Sequence, residues 1–194
     1  MNPRQENNIK CGRREFIGSC ALAVAATGGI GAGRLWAAES KSPPRLDYKV
    51  VPGWAKLPKD VPPAGMNGLD VDSQGRVYAA GGEENPILVF APDGKLLRAW
   101  GKGTIAQKHG VRIFKDKVYV ADTKLHQVYE FTLDGKLLRS FGTLGKAGLG
   151  KKKFDKPTDI AFGPDGDMFI TDGYGNSRVV RLAPDGSFRM AWGS

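Results

Sequence analysis

Cysteine is nearly missing from this chain. Of 194 residues only Cys11 and Cys20 carry a thiol, and both lie within the first 38. If that segment is removed, the remainder can form no disulfide, no thiolate metal site and no cysteine nucleophile. Histidine is as scarce, with His109 and His126 alone. Long hydrophobic runs are also lacking. The most apolar stretch, residues 20–38, is diluted by Gly28, Gly29, Gly31 and Gly33, which work against a stable membrane-spanning helix. The acid-rich turns Asp70/Asp72 and Asp165/Asp167 lack the dense oxygen spacing of a dedicated calcium loop, so the residues themselves do not call for calcium.

The formal net charge of +9 is not concentrated. Residues 1–38 carry +3, leaving +6 scattered among acids over the rest, apart from the run Lys151-Lys152-Lys153. That run reads as a solvated loop, and no nucleic-acid partner is expected. What the chain has in quantity is glycine (27) and proline (12), which favour a turn-rich, all-β protein of about one domain.

The first 38 residues have the form of an export signal. Gly12-Arg13-Arg14-Glu15-Phe16-Ile17-Gly18 leads into a Gly/Ala-rich run ending near Ala37 and Ala38. Paired Arg13 and Arg14 with an apolar residue two places on are the twin-arginine signature. A short h-region and small residues at its end complete a secretory signal. The expectation is a folded protein handed to the twin-arginine export machinery, with a periplasmic or extracytoplasmic destination. Residues 39–66 read as a proline-rich lead-in with one strand at Tyr48–Val51.

Residues 67–194 repeat. Pro92-Asp93-Gly94-Lys95-Leu96-Leu97-Arg98-Ala99-Trp100-Gly101 recurs as Leu133-Asp134-Gly135 through Phe141-Gly142, and again as Pro184-Asp185-Gly186 through Trp192-Gly193. The opening halves match as well: 67–80, 109–122 and 158–172. Each unit divides into four short strands, in the first at Gly68–Asp72, Arg76–Ala80, Ile87–Phe90 and Lys95–Trp100. The Asp-Gly pairs supply positive-φ hairpin turns. Four antiparallel strands at a period of ~40–45 residues make one blade of a β-propeller. The blades fall at 67–101, 109–142 and 158–193, and the extra residues of the longer second period sit in 142–157. Three blades leave unpaired faces. Trp192-Gly193 repeats the signal that leads onward at Trp100-Gly101. Self-association, or further C-terminal blades in a longer chain, is therefore expected.

The repeats resemble NHL repeats, and residues 67–193 resemble the bacterial group similar to the peptidyl-α-hydroxyglycine amidating lyase. The stretches that carry this are His109-Gly110, Ala121-Asp122 with Leu125-His126-Gln127-Val128, Lys156-Pro157-Thr158-Asp159-Ile160-Ala161, and Ile170 through Val180. The resemblance implies part of a six-bladed propeller holding a zinc ion by three histidines from different blades. The zinc polarises the hydroxyl of a peptidyl-hydroxyglycine, a tyrosine assists as base, and the products are a peptide amide and glyoxylate. By the same resemblance, His109 matches the first zinc histidine and Tyr174 the tyrosine at the metal. His126 falls in a strand that is structural in the family. A partly main-chain calcium site near the first zinc histidine is also implied.

The chain departs from that pattern. The next family histidine would follow in a blade beyond Trp192-Gly193, and the family arginine would fall near Gly81, where the sequence reads Ala79-Ala80-Gly81-Gly82. A catalytic zinc usually takes three protein ligands, so one histidine does not make the site. The expected function is an exported, lyase-like propeller that is not active alone. The alternative is a non-catalytic module binding a peptide, small molecule, protein or cell-wall partner at the propeller channel. Asp172, Asn176 and Arg178 read as turn-capping and pairing residues, the arginine reaching an aspartate of a neighbouring blade.

Overall fold

The computed structural model describes residues 48–193, apart from 62 and 83. The leader with Arg13 and Arg14, and the lead-in as far as residue 47, lie outside the described residues. The described chain is built of strands: β1 (Pro63–Val71), β2 (Val77–Gly82), β3 (Ile87–Phe90), β4 (Leu96–Trp100), β5 (Lys108–Phe114), β6 (Lys117–Asp122), β7 (Gln127–Thr132), β8 (Leu137–Gly142), β9 (Asp159–Phe162), β10 (Met168–Asp172), β11 (Arg178–Leu182) and β12 (Phe188–Gly193). Each run of four forms its own antiparallel sheet, with neighbours in the sheet also neighbours in sequence. These are three β-propeller blades, as the repeat predicts.

The last hairpin of each blade shows why the repeat carries Asp-Gly. Gly94, Gly135 and Gly186 have φ of 82°, 87° and 89°. Their amides donate to Ala91, Thr132 and Ala183 carbonyls at 2.9, 3.0 and 2.8 Å. Only the glycine is left-handed, so the loop is a three-residue turn closed by a bulge rather than a two-residue primed turn. The pairing of β3 with β4, β7 with β8 and β11 with β12 shifts register at that bulge. The primed turn occurs elsewhere: Lys115 and Asp116, between β5 and β6, both have positive φ (47° and 56°).

One strand expected from the sequence is not formed. Residues 48–51 have no ladder partner, and Tyr48 and Val50 are almost fully exposed. Val51 leads straight into a turn at Pro52-Gly53, where the missing proline amide and the positive φ of Gly53 end any extended run. The lead-in is ordered by other means. Lys56 bridges to Lys95, and Trp54, Leu57 and Val61 pack on Ala79, Leu88 and Phe90.

The blades stack through alternate residues of their central strands; those of the first two blades are buried on both faces, and those of the third are buried on one. Tyr78, Ala80, Ile87 and Val89 of the first blade meet Val111, Val118, Val120, Tyr129 and Phe131 of the second. Tyr119, Ala121, Val128 and Phe141 of the second meet Ile160, Met168, Ile170, Val180 and Leu182 of the third. Ala79, Leu88 and Phe90 face the lead-in.

A recurrent contact closes each joint at the outer edge. A Cβ added to Gly135 would lie 2.6 Å from the Trp100 ring, and one added to Gly186 would lie 2.7 Å from the Phe141 ring. The outer-strand aromatic of one blade thus seats on the hairpin glycine of the next. Gly94 is covered differently, by the backbone carbonyl of Trp54, with the ring 3.3 Å from an added Cβ. The carbonyl before each Asp-Gly accepts a bond from the preceding element: Trp54 Nε1 to Pro92 O at 3.2 Å, Tyr78 OH to Leu133 O at 3.3 Å, and Arg139 Nη2 to Pro184 O at 2.8 Å. Inner strands β1, β5 and β9 lie side by side, β5 contacting both others.

Candidate functional site

Beside β1 and β5, at the turns that follow β6 and β10, an open cavity of about 470 Å³ is lined by Asn67, Gln107, His109, Thr123, Lys124, His126, Lys156 and Tyr174. It brings together His109 and Tyr174, which lie 65 positions apart in sequence. It also takes in both histidines of the chain.

His109 is the second residue of β5, just before the register shift that separates Lys108 from Val111 in the pairing with β6. Its Nδ1 lies 2.9 Å from Thr158 O, and its Nε2 lies 2.9 Å from Tyr174 Oη. A carbonyl can only accept, so the proton sits on Nδ1 and Nε2 presents its lone pair to the tyrosine hydroxyl. The two rings meet edge to face, 5.3 Å apart at 85°. A backbone carbonyl fixing the tautomer is the support a ligand or base histidine needs.

Gly110 makes that support possible. Its amide donates to the same Thr158 carbonyl at 2.8 Å. A Cβ there would lie 2.6 Å from Thr158 O and 2.9 Å from Asp159 Cα. Only glycine lets β5 approach the start of β9 closely enough for His109 to reach Thr158. Across the same contact Arg112 pairs with Asp159.

Tyr174 is 66% exposed on the turn between β10 and β11. The turn is held from below. Gly175 N donates to Asp155 O at 3.0 Å, and Asp155 N donates to Asp172 Oδ1 at 2.6 Å. The fully buried Asp172 also accepts from Asn176 Nδ2 at 2.7 Å and Arg178 Nε at 2.9 Å. Arg178 then reaches Leu149 O and Lys153 O at 2.6 and 2.8 Å, tying down the insertion. Asp172, Asn176 and Arg178 are therefore structural, but Arg178 pairs within its own blade, not with a neighbour. Asp122, the corresponding residue of the second blade, receives the amides of Ala106, Gln107, Lys124 and Leu125.

His126 lies in the turn before β7, not in the strand, with φ of 57°. Its Nδ1 accepts from Lys156 N at 3.1 Å, so its proton is on Nε2. In that state it offers the cavity a donor, not a ligand nitrogen.

In the repeat, Asn67 of β1, His109 of β5 and Thr158, one residue before β9, hold equivalent places. Asn67 Nδ2 donates to Lys108 O at 3.2 Å, and Thr158 Oγ1 lies 2.9 Å from Thr171 Oγ1. Neither adds a second imidazole. Among the described residues no three His, Cys, Asp or Glu side chains gather as a metal-binding group. One imidazole lone pair beside a phenol does not fit a three-histidine zinc centre, so the described residues do not hold such a zinc by themselves. The carboxylates read as weak calcium candidates are engaged in turns and ion pairs, Asp72 with Arg76 and Asp165 and Asp167 with Arg181. At Gly81 a side chain would meet Met66 Cγ at 2.6 Å, so Met66 fills the space into which an arginine there would project.

No protein-family model matches the chain. Among characterised proteins it is 38% identical over 116 residues to peptidyl-glycine alpha-amidating monooxygenase A of Xenopus laevis, covering 57% of this chain and 12% of that protein. It is 36% identical over 115 residues to peptidyl-alpha-hydroxyglycine alpha-amidating lyase 1 of Drosophila melanogaster, covering 57% of this chain and 21% of that one. It is 36% identical over 137 residues to mouse NHL repeat-containing protein 3, covering 63% and 39% respectively. Among solved structures, virginiamycin B lyase from Staphylococcus aureus aligns with a TM-score of 0.53 at 24% identity, covering 68% of this chain and 42% of that one. The chain thus spans less than half the length of each. Its fold is that of NHL-type β-propeller blades, and it is similar in sequence to the amidating lyases and to NHL repeat proteins.

Proposed function

We propose that this chain supplies the His109–Tyr174 part of a lyase-like propeller site acting on an α-hydroxylated amide. The observation that carries the reading is the 2.9 Å contact between His109 Nε2 and Tyr174 Oη in an open cavity, with the imidazole held by Thr158 O. In the reaction the substrate hydroxyl loses its proton, the carbon–nitrogen bond breaks, and the nitrogen regains a proton. An amide and an aldehyde result, with atoms and charge conserved. In this reading Tyr174, as its phenolate, takes the hydroxyl proton and returns one to the leaving nitrogen, while His109 Nε2, which faces the phenol in this chain, would be the nitrogen available to a metal once further ligands are supplied.

The chain is not active alone in this reading, because Asn67 and Thr158 stand where further imidazoles would point inward. Further blades complete the site. The test is to measure glyoxylate release from an α-hydroxyglycine-extended peptide, by this chain and by any longer product of the same reading frame. The longer product should be active and its His109→Ala and Tyr174→Phe variants should be slowed by roughly a hundredfold or more. Activity unaffected by both substitutions refutes the assignment.

A second reading is favoured by Met66 in place of an arginine and by the single imidazole. Here the same cavity binds a peptide or small molecule without turnover. Binding that survives both chelation and His109→Ala supports it, and loss under both supports the lyase reading. Export by the twin-arginine route belongs to either reading, and replacing Arg13 and Arg14 by lysine should abolish it.

A further inference from the structure

The lysine run Lys151-Lys152-Lys153 plays no part in the candidate site, and it sits in an ordered loop. Residues 142–157 hold five lysines and one acid. That acid, Asp155, is turned to the protein, its Oδ1 3.4 Å from His126 Nδ1. Lys146, Lys151, Lys152 and Lys153 are all exposed. Among the described residues the lysines that form ion pairs are others: Lys56, Lys102 and Lys117. Two large apolar side chains stand out in the same loop, Leu144 at 62% exposure and Leu149 at 68%.

The loop is held without using any of these side chains. Thr143 Oγ1 donates to Lys152 O at 2.8 Å, Gly145 N to Leu125 O at 3.0 Å and Gly148 N to Phe154 O at 3.1 Å. From the third blade Asn176 Nδ2 donates to Gly148 O at 2.9 Å, and Arg178 holds Leu149 O and Lys153 O. Phe154, 1% exposed, anchors the loop in the core shared by the second and third blades. The loop is therefore fixed over a joint whose two blades are both present. Beside Lys151 and Lys152 a cavity of about 240 Å³ opens between the loop, β8 and the last hairpin of the third blade. Arg139 and Ser140 also line it, and its one acid, Asp185, is engaged by Ser187 N at 2.8 Å.

We propose that this loop is a membrane-docking element that seats the blades on an anionic lipid surface. Leu144 and Leu149 enter the boundary between headgroups and acyl chains, and the four exposed lysines meet the lipid phosphates. The cavity beside Lys151 and Lys152 takes a headgroup. Charge alone would suit any polyanion. The leucines decide for lipid, because a nucleic-acid backbone offers phosphates but no apolar layer to receive them. Apolar burial and attraction to anionic lipid add in such binding, and this loop carries both within ten residues, 144–153. Because backbone bonds already fix the loop, little ordering has to be paid for on contact. The proposal does not depend on the lyase reading.

The test is co-sedimentation of the full chain with vesicles of phosphatidylcholine, alone or with about one third phosphatidylglycerol, where each lysine near the anionic surface is worth roughly fivefold in partitioning. Wild type is compared with Lys151→Gln/Lys152→Gln/Lys153→Gln and with Leu144→Ser/Leu149→Ser. All the altered side chains are exposed, so melting should confirm that both variants fold. Wild type should prefer the anionic vesicles, and each variant should bind them roughly tenfold or more weakly. The leader is the same in all three chains, so differences among them belong to the loop. Hydrogen exchange in residues 144–153 reads the loop itself and should slow when anionic vesicles are added to wild type. Equal binding by the three chains, or exchange that the vesicles leave unchanged, overturns the proposal. So does binding that the glutamines weaken and the serines do not, since that marks a general polyanion site, which double-stranded DNA or inorganic phosphate would then compete for.

Discussion

Replacing Gly110 by alanine tests whether the fold and the site share one contact. The added methyl would lie 2.5 Å from Asp159 Oδ1, 2.6 Å from Thr158 O and 2.9 Å from Asp159 Cα. The carboxylate can swing away, but the carbonyl and the Cα belong to the strand itself, so β5 and β9 must separate. Overpacking of this kind costs about 1–3 kcal/mol. Stretching the bond from Gly110 N to Thr158 O adds about 1 kcal/mol. A total near 2–4 kcal/mol lowers the melting temperature of a body this size by about 4–16 °C. The same displacement pulls Thr158 O away from His109 Nδ1, so the imidazole loses the acceptor that fixes its tautomer. The assay is calorimetric melting paired with nitrogen chemical shifts of the His109 ring. A melting temperature unchanged within a degree or two, with His109 still protonated on Nδ1, refutes the reasoning.

Three further outcomes follow from the same geometry. Asp172→Ala leaves Arg178, its side chain only 10% exposed, without its carboxylate, and should cost about 3–5 kcal/mol in thermal unfolding, with faster hydrogen exchange in residues 148–153. Burial, reinforced by the neighbouring charge of Glu130, pushes the Tyr119 hydroxyl up to about 12, and burial with Asp122 nearby does the same for Tyr129. The folded state keeps these protons while the unfolded chain releases them above its ordinary value near 10. Stability should therefore be intact below about pH 10 and fall as the pH rises to 12, by roughly 3 kcal/mol per tyrosine, and an alkaline melting series measures it. Tyr174→Phe removes a hydroxyl from an exposed side chain, so stability should change by no more than about 0.5 kcal/mol, while the His109 Nε2 resonance shifts.

The blades were legible because their signal is redundant. Asp-Gly recurs at three hairpins, and alternate apolar residues mark the buried central strands, so one misread position could not hide the period. The lead-in was not legible in that way. Tyr48–Val51 has the composition of a strand but no partner strand to pair with, and composition alone does not supply a ladder. Trp54 reads as one more tryptophan until the structure shows its carbonyl against Gly94 and its ring against Phe90. The turn at Lys115-Asp116 was equally hidden, since neither residue advertises positive φ. His126 looked like part of a strand because Gln127 and Val128 are, whereas its own left-handed backbone ends the preceding turn.

The site was legible as residues but not as geometry. His109 and Tyr174 could be named from the motifs around them, but no spacing rule links positions 65 apart, and their hydrogen bond depends on a backbone carbonyl that has no sequence signature. What the sequence did carry is the glycine after the histidine. Gly110 is the feature that lets Thr158 O approach, and Thr158 O decides which imidazole nitrogen faces the cavity. In the first blade the same register holds Asn67-Gly68, and in the third Thr158-Asp159. The three inner strands thus present an amide, an imidazole and a hydroxyl at one level. Of these three side chains only the imidazole can serve as a strong base or a soft-metal ligand.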